Sequence, residues 1–251
     1  MHPRCRSTIS AVTEGGTRTA KVGGKSIRVP AEMSYEKWRE SLKSGKLQIL
    51  ERETAAVSNN GLKNAYTVNF ELMNSKAYHD KFEGLSANKN VDESLYKQAT
   101  KILSHRNGTE YEDIAILDAR TGILLVENTS ATVKFKCGLT YAQYQKLRES
   151  GKEIEILHNH PNSTEPSTAD IIGLFKREMA RASTIIAHDG TVYRLEKLKQ
   201  FAEIENLIQD TYEEVRKDFA GLPEGLIECR TVRRLISILE KQKILRYKEV
   251  K

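Results

Sequence analysis

From Leu95 to Leu103 the apolar residues Leu95, Tyr96, Ala99, Ile102 and Leu103 recur at three- and four-residue spacings, the period of a helix with one buried face. Asp92 is placed to cap this helix, which should end before Gly108. Beyond it the pattern shortens. Glu112-Asp-Ile-Ala-Ile-Leu-Asp118 reads as a strand, a turn over Asp118 to Gly122 leads to a second strand, Ile123 to Val126, and Ala131 to Phe135 makes a third. Thr140 caps a helix from Tyr141 to Ser150 that Gly151 closes. A strand from Glu153 to Asn159, a Pro/Ser/Thr loop and a helix from about Thr168 to Ala182 follow. A hairpin then pairs Thr184–Ala187 with Thr191–Leu195 around Asp189-Gly190.

The flanks are patterned differently. Residues 1–30 are rich in Gly, Ser, Thr, Lys and Arg, with Gly15-Gly16 and Gly23-Gly24 interrupting any period, and read as a loop or arm. Ser34 can cap a short helix, Tyr35 to Leu42, although Lys37 leaves the capping box incomplete. Glu51 to Asn64 reads as a linker and Tyr66 to Leu72 as a short strand. Toward the C-terminus, Leu198, Phe201, Ala202, Ile204, Leu207, Ile208, Tyr212 and Val215 stripe one helical stretch. Val232, Leu235, Ile236 and Leu239 stripe another. The expected organisation is an arm with a short helix (1–50), a linker region (51–91), an α/β domain (92–197) and a helical segment (198–251). The fold class is α/β, a sandwich with a mixed sheet.

Composition narrows the partners. The chain has 251 residues and a net charge of +6, but its basic residues are interspersed with acidic ones and form no compact patch. That argues against a nucleic-acid partner. No apolar run approaches the roughly 20 residues of a membrane span, and Met1 to Ser10 lacks the apolar core of a signal peptide. Cys5, Cys137 and Cys229 lie too far apart for a disulfide framework, so a reducing compartment and a cytoplasmic location are expected.

The chemistry concentrates in Leu157-His-Asn-His-Pro-Asn-Ser-Thr-Glu-Pro-Ser-Thr-Ala-Asp170. Residues two apart on a strand share a face, roughly 6–7 Å apart, so His158 and His160 can converge on one ion. Ser167 reads as a helix N-cap, which puts Asp170 in the first turn as a third ligand. Ser-x-x-Asp alone is an ordinary capping pattern. Joined to His-x-His-Pro, it has the two-histidine, one-carboxylate arithmetic of catalytic zinc.

His-x-His-Pro followed by Ser-x-x-Asp, with a glutamate on an earlier strand, resembles the JAB/MPN (JAMM) metalloprotease family, including its RadC-like bacterial branch. The resemblance covers roughly Asp92 to Leu195. It implies a JAB/MPN-like sandwich, zinc on His158, His160 and Asp170, Ser167 stabilising an oxyanion, and cleavage of peptide or isopeptide bonds. The family glutamate falls on Glu112, which continues the face of Ile114 and Ile116, or on Glu110, selected by counting back from Asp118; Glu112 is preferred. Six residues separate His160 from Ser167, one fewer than the family commonly has. A second resemblance joins His2-Pro-Arg-Cys5-Arg and Val29-Pro-Ala-Glu-Met-Ser-Tyr-Glu-Lys-Trp38 to the tail of phage Mu F-like head morphogenesis (minor capsid) proteins. It implies a phage or prophage head-associated protein, with capsid or portal proteins as partners and a virion as a second location. The rival class is a structural or interaction module of the same fold that turns nothing over.

Other residues read more plainly. His188 at the Asp-Gly turn, His79 and His105 are expected at the surface, and Cys137 as a buried, inert thiol. Tyr35 and Trp38 would anchor the short helix. His2 and Cys5 offer only two ligands, too few for a site.

Overall fold

The structure is a computed structural model that describes residues 17–22, 25–30, 34, 40 and 66–251. Strands β1 (Thr17–Val22) and β2 (Lys25–Pro30) pair antiparallel, from Thr17 opposite Pro30 to Val22 opposite Lys25. Part of the expected loop over residues 1–30 is therefore a hairpin. In the sequence the two strands are separated by Gly23-Gly24, a dipeptide that favours two-residue hairpin turns. The expected helix around Trp38, the linker 51–64, and His2 and Cys5 lie outside the described residues, except that Glu40 is helical.

Tyr66–Leu72 is not a strand. Tyr66 adopts a left-handed backbone at φ 71°, and Asn69 caps α1 (Phe70–Met73) by accepting from the Leu72 amide. Ser75 caps α2 (Lys76–Asp80) in the same way on Tyr78. Short polar side chains that bond nearby backbone outweigh a weak alternation here. Helix α3 (Lys89–Arg106) is capped by Asn88, not by Asp92. Asp92 sits inside the first turn, where its carboxylate accepts from the amides of Gly84 (2.9 Å) and Ser86 (2.7 Å). It ties down the incoming loop and puts negative charge at the helix's positive end.

The remaining elements are β3 (Ile114–Asp118), β4 (Leu124–Asn128), α4 (Tyr141–Ser150), β5 (Ile154–His160), α5 (Thr168–Lys176), β6 (Ala180–Ala187), β7 (Val192–Lys197), α6 (Ile204–Asp218), α7 (Glu224–Lys241) and β8 (Leu245–Val250). Six strands form one open sheet in the order β4-β3-β5-β6-β7-β8. β5 and β6 are parallel and joined through α5; every other neighbouring pair is antiparallel. The fold is thus mixed α/β. Ala131–Phe135 contributes no strand, because Phe135 takes a positive φ of 55° and its amide bonds the Glu110 carbonyl instead of a ladder partner. The helix expected to reach Ala182 stops at Lys176. Residues from Ala180 have helix-tolerant side chains, but pairing with β5 from Ile154 to His160 takes them into the sheet. Strand β8, absent from the sequence reading, pairs along the whole of β7.

Both faces of the sheet are covered. On one, Ile114, Ile116, Ile154 and Ile156 pack with Leu147 of α4, Ile171, Leu174 and Phe175 of α5, and Val232, Leu235 and Leu239 of α7. On the other, Ala115, Leu117 and Leu157 meet Val91, Leu95, Ala99, Ile102 and Leu103 of α3, together with Tyr78 and Phe82. Residues 204–250 therefore supply two helices and an edge strand to this core. Among the described residues, no helix is long and apolar enough to cross a membrane.

Candidate metal centre

All seven residues of β5 are buried, as a strand flanked on both sides by partners requires. Alternation along it sends Ile154, Ile156, His158 and His160 to the face covered by α5. At the strand's end the two imidazoles meet, with Nε2 atoms 3.3 Å apart. Asp170 comes to them from the first turn of α5. Its Oδ1 lies 3.0 Å from His158 Nε2 and its Oδ2 3.4 Å from His160 Nε2.

The local sequence explains how Asp170 is aimed. Ser167 is the N-cap of α5. Its hydroxyl accepts from the Asp170 amide (3.2 Å) and donates to Asp170 Oδ2 (2.7 Å), and the Ser167 amide donates to the same oxygen (2.7 Å). His160 is oriented from behind: its Nδ1 donates to the Thr164 carbonyl (3.0 Å), which turns Nε2 toward Asp170 and His158. His158 Nδ1 is buried with no hydrogen-bond partner among the described residues.

Two imidazole nitrogens and a carboxylate oxygen thus lie within 4.8 Å of one another in a nearly dry site. Burial alone would raise the Asp170 carboxyl, but the charges and hydrogen bonds of His158 and His160 hold it well below the usual carboxylate range. Burial alone would lower His160; the hydrogen bond and charge of Asp170, the charge of Glu112 and the Thr164 carbonyl outweigh it and carry His160 up to about 9. The donor set, two imidazoles and one carboxylate, fits a first-row divalent cation. A second group, His79, Asp80 and Glu83, is more exposed, and two of its members are already engaged: Asp80 with Lys76 and His79 with Glu93.

The two candidate glutamates separate clearly. Glu112 lies just before β3, is 6% exposed, and feels the charges of His158, His160 and Asp170. Burial pushes its carboxyl up; the two imidazoles oppose this, Asp170 reinforces it, and a hydrogen bond with Cys137 opposes it. Glu110 turns away, into an ion pair with Lys134 that lowers its carboxyl. Cys137 is half-buried, and burial together with the Glu112 and Asp170 charges pushes its thiol well up, as suits an unreactive sulfur. Its place beside Glu112 had no signal in the sequence, because the two stand 25 positions apart along the chain.

His188 corrects the sequence reading. It is 2% exposed, not solvated, and burial lowers its pKa. Its Nδ1 donates to the Tyr66 carbonyl (2.6 Å) and its Nε2 accepts from Asn159 (3.0 Å). Residues 66–69 fold over the Asp-Gly turn and exclude water, which the turn sequence alone could not reveal. No family model, curated protein or solved structure matches the chain.

Proposed function

We propose that the protein is a zinc-dependent hydrolase of peptide or isopeptide bonds with a JAB/MPN-like architecture. The observation that carries this reading is the convergence of His158, His160 and Asp170 beside a buried glutamate of raised pKa. When bound, zinc supplies Lewis-acid activation of water and of a substrate carbonyl. Glu112 takes the proton of the attacking water and returns it to the leaving amine; a carboxyl raised by burial suits both transfers. Ser167 supplies the hydroxyl that meets the developing oxyanion. The phage-head resemblance of the N-terminal segment extends the proposal to a head-associated protein whose partners are capsid or portal proteins.

One observation favours the rival reading of a metal-holding structural or interaction module. The Ser167 hydroxyl already spends its proton on Asp170 Oδ2, so it must rotate before it can serve an oxyanion.

Metal analysis of the full chain tests the site. Close to one equivalent of zinc is expected in the wild type, and none after His158→Ala with His160→Ala. Retention also falls in acid, because the ligands must be deprotonated. Zinc that persists in the double variant would remove the basis of the proposal. Zinc-loaded wild type that cleaves nothing across a panel of short peptides and ubiquitin-like conjugates would favour the rival.

A further inference from the structure

We propose that Asn159 and His188 are positioning residues that hold Glu112 in place from the far side of the sheet. Glu112 lies outside β3, whose ladder with β5 begins at Ile114 opposite His158. No strand pairing therefore fixes its backbone. Asn159 does so instead. It sits between the two histidines on β5, and alternation turns its side chain to the opposite face, where it is fully buried. There its Oδ1 accepts from the Asp113 amide (2.7 Å) and its Nδ2 donates to the Tyr111 carbonyl (3.2 Å). These two backbone groups flank Glu112, so one side chain orients the peptides on both sides of it.

Asn159 is in turn held by His188. The hydrogen-bond roles have a single consistent assignment. The Asp113 amide can only donate, so Asn159 presents its oxygen there and its nitrogen to Tyr111 and His188. His188 Nε2 must then accept, which makes Nδ1 the protonated nitrogen that donates to Tyr66. The relay runs from Tyr66 through His188 and Asn159 to the Glu112 segment with His188 and Asn159 out of water. Such a support shell converts a loop carboxylate into a fixed one.

This inference rests on the reading of Glu112 as the carboxylate that serves the metal centre, and the test separates the two. The full chain is loaded with cobalt(II), and the pH midpoint of its visible absorption change is measured. Glu112→Gln is expected to shift the midpoint. Asn159→Ser and His188→Ala are expected to shift it in the same direction by at least half as much, and to add nothing when combined with Glu112→Gln. His188→Gln should restore most of the wild-type midpoint, since its amide can accept from Asn159 and donate to Tyr66. A merely structural role would alter melting behaviour without these effects on the midpoint. An unchanged midpoint in Asn159→Ser and His188→Ala, with Glu112→Gln shifted, overturns the positioning role alone. An unchanged midpoint in Glu112→Gln overturns the reading of Glu112, and the positioning role with it. Where Asn159→Ser fails to fold, the pair His188→Ala and His188→Gln carries the same test.

Discussion

Glu112 and Glu110 stand two positions apart and meet different surroundings, because Lys134 draws one outward while the fold turns the other toward the histidines. Glu112→Gln should keep the metal and lose hydrolysis by about 10²–10⁴-fold, the usual effect of removing a general base. Glu110→Gln should leave the rate close to wild type. A reversed pattern in steady-state rates would exchange the assignment. Asp118 offers a test of electrostatics away from the site. A hydrogen bond from Lys152 and the amides of Arg120 and Thr121 lower its carboxyl from 3.8 to about 2. Its folded pKa lies below its unfolded one, so its contribution is present above about 3.8 and is lost as pH falls toward 2. The melting-temperature gap between wild type and Asp118→Asn should therefore be widest near neutrality and close between pH 4 and 2.

At the level of elements, end chemistry decides where the chain turns. Helix α4 has a complete capping box: Thr140 Oγ1 accepts from the Gln143 amide and Gln143 Oε1 from the Thr140 amide, with Gly151 at φ 63° closing the other end. Thr140→Ala should cost about 1 kcal/mol in chemical denaturation. The β6–β7 turn is more constrained. Gly190 takes φ +93°, and a Cβ there would lie 2.4 Å from Leu72 Cδ2. Gly190→Ala combines backbone strain with a clash against α1 and should destabilise by roughly 1–3 kcal/mol. A melting curve indistinguishable from wild type would show that residues 66–73 give way freely.

Across the whole molecule, the C-terminal region is part of the machinery that holds the site. Arg233 of α7 makes a bidentate pair with Glu165 (2.6 and 2.9 Å), which lies in the loop between His160 and Ser167. Strand β8 covers β7, the next strand but one to β5. Deleting residues 245–251 should leave β7 as an unpaired edge with open backbone donors and acceptors and produce concentration-dependent association, visible by light scattering. A monomeric truncated protein with unchanged melting would show that β8 is dispensable. Beneath the sheet, Arg194 of β7 reaches across to Glu155 of β5 through two short contacts (2.8 and 2.9 Å), with both side chains nearly dry. Removing Arg194 alone should be severe, on the order of 3–5 kcal/mol, because it strands a buried carboxylate.

Local pattern determined α3, α4, the cores of β3, β5, β6 and β7, and the convergence of His158, His160 and Asp170, because each rests on short-range periodicity, a cap or a two-residue spacing. His158 and His160 share a face by alternation, and Ser167 aims Asp170 within a single helical turn. Other features depended on partners distant in sequence. Only pairing with β5 and β7 could recruit Ala180–Arg181 and Leu245–Val250 into strands, since their side chains also tolerate a helix or a coil. Only the packing of residues 66–69 over the Asp-Gly turn could bury His188. Only the meeting of three separate segments could place Cys137 and Asn159 on opposite sides of the Glu112 segment, because the hydrogen bonds that fix them cross 25 to 48 positions of chain.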